Sequence, residues 1–377
     1  MTDAGNRLDF EDEIRHNRRW TWVLLLASFL LLAVVAAVGS FALGGGWPGL
    51  VFGLGLALAL TVFAFFSSSS LALGSTGAQP APVADYQQLH NLVEAMAISA
   101  GIPKPAVYVV HDPAPNAFAT GRDHEHAAVA VTTGLLERMN RDELEGVLAH
   151  ELSHIRNLDI RVMTVAVATA GSIAVITDVF WRIAFWGAIF GSGRRRDNDN
   201  RGGNPLALLA MVVVAVLAPI AALLLKAAIS RRREALADAT AVKLTRYPTG
   251  LRRALEKLDA DSTVVKRTSH ATSHLWIESP DDRQLGNRGA RINQMFSTHP
   301  PLSERIDILR SMEGLPAYQG PEPAVLDDLA RREAAAADAP GPQVEATPHS
   351  VAAPHPAAES MPNLSELFDP PTPPGPH

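Results

Sequence analysis

Five consecutive residues, His150-Glu151-Leu152-Ser153-His154, carry the densest chemistry in the chain. Residues four apart share one face of a helix, so two imidazoles can point at a single cation while Glu151, one position round, reaches a water on it. Zinc peptidases use this arrangement: the ion lowers the pKa of bound water to about 7 and a carboxylate takes the proton. The competing reading is an exposed polar helix turn, which a motif this short always permits. The sequence contains no cysteine. Disulfides, thiol nucleophiles and cysteine-bound zinc are therefore excluded, leaving histidine and carboxylate as the strong metal ligands.

Zinc needs a third protein ligand. The metzincin extension would put a histidine six residues after His154, where this chain has Ile160. Glu234 is attractive because Asp238 lies one turn on, and two like charges on one helix face need a cation beside them. In that reading Glu234 binds the metal and Asp238 accepts a hydrogen bond from the far nitrogen of a ligand histidine, fixing its tautomer. The alternative, that Arg231, Arg232 and Arg233 simply neutralise both acids, stands equally on residue types alone.

The elements around these residues alternate between membrane-like and soluble stretches. The chain is 47% hydrophobic, with mean hydropathy +0.08, high for a soluble protein. Residues 20–43 and 47–66 are apolar runs, each long enough to cross a bilayer as a helix, and Gly44-Gly45-Gly46 joins them as a hairpin. The first is too long for a secretory signal and leads straight into the second, so it reads as an uncleaved anchor. Residues 67–79 read as a Ser/Gly linker and Asp85 to Ala100 as a helix. Ala106 to Val110, Asn116 to Thr120 and Ala127 to Thr133 read as strands of a small sheet. Asn140 with Glu143 is a capping box that opens the helix carrying the His-Glu motif.

Residues 162–190 and 206–229 form a second apolar pair, the first interrupted by Asp178 and Arg182, the second containing Pro219. Beyond Gly314 the composition is Pro, Ala and acid, too poor in bulky apolar groups to fold alone. The expected organisation is a tail over 1–19, a transmembrane hairpin over 20–66 and a first protease part over 67–158. A second hydrophobic hairpin over 159–230, a second protease part over 231–313 and a disordered tail over 314–377 complete it. The fold class is mainly α with a small β-sheet, on four transmembrane helices.

Three separated blocks, His150 to Asp159, Ser230 to Asp238 and Phe296 to Arg305, resemble the HtpX membrane proteases, relatives of the CAAX prenyl endopeptidases. The likeness runs from the first apolar segment to about Leu309 and includes Asn116 to Gly121 and Ser297 to Pro301. It implies zinc, one per chain, on His150, His154 and Glu234, Glu151 as catalytic carboxylate, and a gluzincin-like domain facing the cytoplasm. It also implies a role in membrane-protein quality control. His299 or Arg305 supplies an oxyanion donor in this reading, with a purely structural His299 as the alternative. Asn116, Ala117 and Phe118 form a strand on which an extended substrate pairs, or an ordinary sheet strand. His124, Glu125 and His126 read as solvated turn residues.

Ligands at 150, 154 and 234 share one metal only from one side of a membrane, so the segment between them crosses zero or two times. Arg15, Arg18, Arg19, Arg156, Arg161 and Arg231 to Arg233 flank spans on that side, which the positive-inside rule makes cytoplasmic in a bacterial plasma membrane. Arg194, Arg195, Arg196 and Arg201, in the loop that two crossings would export, argue the other way. A formal charge of −6 excludes a nucleic-acid coat. No Walker sequence is present for ATP-driven unfolding. Polypeptides, membrane proteins first, and the lipid bilayer are the expected partners. A non-catalytic zinc-containing scaffold or chaperone-like binder is the alternative function.

Overall fold

The computed structural model describes residues 10–42, 46–166, 168–169, 182, 231–261, 263, 265, 276–277 and 300–338. Two long helices come first, α1 (Phe10–Ala42) and α2 (Gly46–Thr76), packed side by side. Ile14–Val34 and Gly46–Thr76 are long and apolar enough to cross a membrane. Their outer faces bear Trp22, Phe52 and Phe63, each more than half exposed. Apolar area left in water forgoes about 25 cal/mol per Å², a loss that a hydrocarbon surrounding removes.

The expected Ser/Gly linker at 67–79 is instead the last turns of α2 and strand β1 (Gln79–Pro80). Ser68, Ser75 and Thr76 return their hydroxyls to the carbonyls of Phe65, Ala72 and Leu73 in their own helix. With those hydroxyls satisfied locally, the hydrophilic stretch continues the helix. Ala72 and Leu73 then pack with Phe118, Ala128 and Ala130, joining α2 to the soluble core.

Helix α3 (Gln87–Ala100) ends at Gly101, whose left-handed φ of 69° closes the C-cap. Strands β2 (Ala106–Val110), β3 (Ala117–Gly121) and β4 (Ala127–Thr132) follow. The sheet order is β1-β2-β4-β3, parallel only between β2 and β4, which leaves β3 at an edge. A short α4 (Thr133–Arg138) leads into α5 (Arg141–Arg156). The capping box forms as the residues dictate: Glu143 N–H donates to Asn140 Oδ1 at 2.9 Å and Asn140 N–H to Glu143 Oε2 at 2.8 Å.

α5 carries the His-Glu motif through the interior, covered by α3, β3, α6 (Arg231–Thr245) and α7 (Pro248–Ala260). It approaches α7 so closely that a Cβ on Gly146 would lie 2.5 Å from Leu251 N, and one on Gly250 would lie 2.5 Å from Asp142 O. α8 (Leu302–Met312) packs on α7 and buries Ile306 and Leu309 in the same core.

A further helix, α9 (Pro323–Asp338), lies inside the stretch expected to be disordered from 314 onward. Val325 and Leu329, one turn apart, supply a short buried stripe. The rest of its hold is ionic: Asp328 Oδ2 lies 2.6 Å from Lys257 Nζ, and Glu333 accepts from Arg138 at 3.2 Å. Composition misses this because the apolar content is small and the partners are charges on distant elements. Most of the expected second hairpin lies outside the described residues, although 159–166 and 168–169 are helical. Residues 339–377 also lie outside them.

Candidate metal centre

α5 puts His150 and His154 on its buried face, and Nε2 of one ring lies 3.2 Å from Nε2 of the other. α6 brings Glu234 to the same point, its oxygens 3.6 Å from His150 Nε2 and 3.8 Å from His154 Nε2. One ligand atom from each of the three residues falls within 4.8 Å of the others, and all three side chains are buried.

The far nitrogens are both occupied. Asp238 Oδ1 is 2.9 Å from His150 Nδ1, and Asp159 Oδ2 is 3.0 Å from His154 Nδ1. An ionised carboxylate only accepts, so each Nδ1 carries a hydrogen and Nε2 is the nitrogen each ring turns to the centre. Two imidazole nitrogens and a carboxylate thus converge on one point, and a positive charge there, a metal ion or a proton, relieves their mutual repulsion. Two imidazole nitrogens and a carboxylate oxygen are a donor set that suits zinc and leaves a fourth position open.

The field points the same way. Burial opposes a charged His154, yet the Asp159 hydrogen bond and the charges of Glu234, Asp159 and Glu151 raise its pKa to about 9. Burial pushes the Glu151 carboxyl up against the pull of His150, His154 and Arg305, with Glu234 adding to the rise. Asp238 stays below the usual carboxylate value, because Arg305 and the His150 hydrogen bond outweigh its burial.

Arg305, on α8, is 1% exposed and lies behind the histidines. Its Nε and Nη2 donate to the two oxygens of Asp238 at 2.9 and 2.7 Å, and Nη1 lies 3.5 Å from Glu234. It thus neutralises the acids from the rear, holding the carboxylate that holds His150. His299 lies outside the described residues.

Where the chain enters β3, the main-chain partners of Asn116, just before the strand, and of Ala117, its first residue, are taken. Asn116 exchanges bonds with Thr132, the Ala117 carbonyl accepts from Ile277 N–H at 2.9 Å, and Phe118 stacks edge-on against buried Trp276. Ala117 and Gly121 turn their outward groups to Ile277 and Thr164. By the alternation of an antiparallel edge, Ala119 between them also faces outward, and it lines the cavity with His150, Glu151, His154 and Glu234.

Residues 84–313 match the model of peptidase family M48. The chain belongs to this family. It is 43% identical over 300 residues to a protein named protease HtpX homolog of Caldanaerobacter subterraneus subsp. tengcongensis, covering 78% of this chain and 95% of that one. A protease HtpX homolog of Streptococcus pneumoniae strain P1031 is 45% identical over 302 residues, covering 80% and 99%. A crystal structure of S. mikatae Ste24p resembles it with a TM-score of 0.42 at 19% identity, over 77% of this chain and 66% of that one. With two apolar helices of membrane-spanning length and HtpX relatives along most of its sequence, this M48 peptidase is a membrane metallopeptidase.

Two residues of this M48 centre carry no signal in the motif itself. Asp159, five residues after His154, reaches back because Leu158 takes a left-handed φ of 60°, a conformation that costs a non-glycine residue about 1–2 kcal/mol. Asn17 then donates to Asp159 from α1 at 2.7 Å. An acid just beyond a motif helix is a weak cue, and Asn17 has none outside the fold.

Proposed function

We propose that the chain is a zinc-dependent endopeptidase that uses His150, His154 and Glu234 to hold one zinc ion and Glu151 to move protons. The observation that carries this reading is the 3.2 Å approach of two imidazole nitrogens whose opposite nitrogens are both tied to carboxylates. A zinc ion held there supplies a Lewis acid that lowers the pKa of a bound water to about 7 and polarises the substrate carbonyl.

Glu151 takes the proton of the attacking water and returns it to the leaving amine. Its burial suits this, since a raised pKa makes the carboxyl a better base and a competent acid nearer neutrality. Asp238 and Asp159 keep both rings in the tautomer that aims Nε2 inward. Substrate main chain pairs at Ala119 on the β3 edge, with its peptide carbonyl toward the histidines. Arg305 acts through Asp238, which its Nε and Nη2 both hold.

The centre lies near the bilayer surface. Asp159 is bonded to Asn17, close to the start of the apolar stretch Ile14–Val34. That favours misfolded or damaged membrane proteins, and chain segments next to spans, as substrates. The reading includes four spans, with the centre on the cytoplasmic face of a bacterial plasma membrane.

The test is purified wild type against Glu151→Gln in detergent, with zinc content and cleavage of an unfolded membrane protein read from the same preparations. Equal zinc with cleavage slowed at least ~100-fold in the variant is expected. Full cleavage by the variant would remove Glu151 from the mechanism. Zinc without cleavage in either would favour the binding-protein alternative.

A further inference from the structure

Asn17 is a fully buried polar residue on α1, set between the exposed Arg15 and Arg18 where the helix enters its apolar stretch. Its Nδ2 donates to the Asn157 carbonyl at 2.9 Å and to Asp159 Oδ1 at 2.7 Å. Both partners only accept, which fixes the amide's orientation. Its own Oδ1 has no hydrogen-bond partner among the described residues. Burying an amide with one end unsatisfied is costly, so the donor end is the part this position retains.

That donor meets the carboxylate whose other oxygen holds His154 Nδ1. Leu158 bends the chain so that residues 157 and 159 both face α1, and Asn17 grips each side of the bend. Elsewhere α1 docks without Asn17. Leu24 packs with Val162, Val165 and Ala166, and Ser28 Oγ pairs with Thr169 Oγ1 at 2.9 Å.

We infer that Asn17 is a positioning residue for the metal: through Asp159 it sets the orientation of His154, so the first membrane helix takes part in holding zinc. The inference rests on the reading of His154 as a ligand. Asp159 alone has a free torsion that would let its carboxylate swing from the ring, and a second bond on its far oxygen pins it at two points.

The experiment is zinc affinity of the full-length protein in detergent, by competition with a chelator. Asn17→Leu keeps the volume and deletes the donor; Asn17→Ala replaces it should the leucine not fold. Asp159→Ala should weaken zinc about 10–100-fold, the range for groups that orient a ligand, and Asn17→Leu about 3–10-fold, one bond further out. The double variant should bind no more weakly than Asp159→Ala alone, because the two residues act in series. Ser28→Ala cuts another α1 hydrogen bond and should bind zinc as wild type does.

Unchanged affinity in the Asn17 variants overturns the inference. Additive losses in the double variant, or an equal loss in Ser28→Ala, do so as well, by showing that α1 acts only through general docking. If His154→Ala binds zinc as tightly as wild type, the metal reading itself fails and this inference falls with it.

Discussion

Arg305 grips Asp238 with two guanidinium nitrogens, at 2.9 and 2.7 Å, and Asp238 holds His150 Nδ1 at 2.9 Å. A metal ligand on α5 is thereby fixed by an arginine on α8, whose Nη2 also lies 3.3 and 3.4 Å from Nδ1 and Nε2 of the same ring. Removing the guanidinium leaves buried acids without their cation. Arg305→Met should destabilise the protein by about 3–5 kcal/mol, the range for breaking a buried pair. It should also weaken zinc about 10–100-fold. Arg305→Lys restores charge without the two-point grip, so it should recover stability more than zinc affinity. Thermal melts beside chelator competition check both; a variant with normal affinity would make Arg305 a fold residue alone.

The crossing of α5 and α7 admits no side chain at Gly146, where an added Cβ lies 2.5 Å from Leu251 N and 2.8 Å from its Cα. Gly146→Ala should cost about 1–3 kcal/mol through forced separation of the helices. Gly74→Ala on α2, with nothing within 4 Å of the added carbon, should instead be neutral or stabilise by up to about 1 kcal/mol through helix propensity. Denaturant midpoints of the two variants compare them; equal midpoints would remove the close crossing as a determinant of stability.

Asp328 gives α9 a pH-dependent hold. Its partial burial favours the neutral carboxyl, but the Lys257 hydrogen bond and charge, followed by those of Arg332, bring its pKa to about 2. A folded pKa below the unfolded one stabilises above the unfolded value, near 4, and that contribution is lost as pH falls through about 2. Asp328→Asn should therefore cost about 1 kcal/mol at neutral pH, allowing for solvent screening, and approach wild type as the pH drops below about 4. Stability measured across that interval tests the sign. A gap that widens toward acid would show that Asp328 acts by packing rather than charge.

Much of the soluble framework can be read locally. Asn140 and Glu143 announce the start of α5 because a capping box is a contact between neighbours in sequence. The Ala/Val runs show the strands, and the spacing of His150 and His154 shows a shared face. Helix α9 escaped, since Val325 and Leu329 are too few to mark a core and Lys257 is far away in sequence. The continuation of α2 escaped because serine reads as linker unless its hydroxyl has a helical carbonyl to bond. At the centre, the support from Asp159 depends on one left-handed leucine and on a helix more than 140 residues upstream. Neither is visible as periodicity or motif. The pairing of Arg305 with Asp238, 67 residues apart, likewise emerges only when α6 and α8 meet.

That separation also sets an order of assembly. A growing chain, folding from its N-terminus as it is synthesised, possesses both histidines well before Glu234 and Asp238, and all four before Arg305. The clamp on His150 is thus the last part of the described centre to be synthesised. A nascent chain stopped between Asp238 and Arg305 carries the metal-binding residues but lacks the counter-charge that makes their burial tolerable.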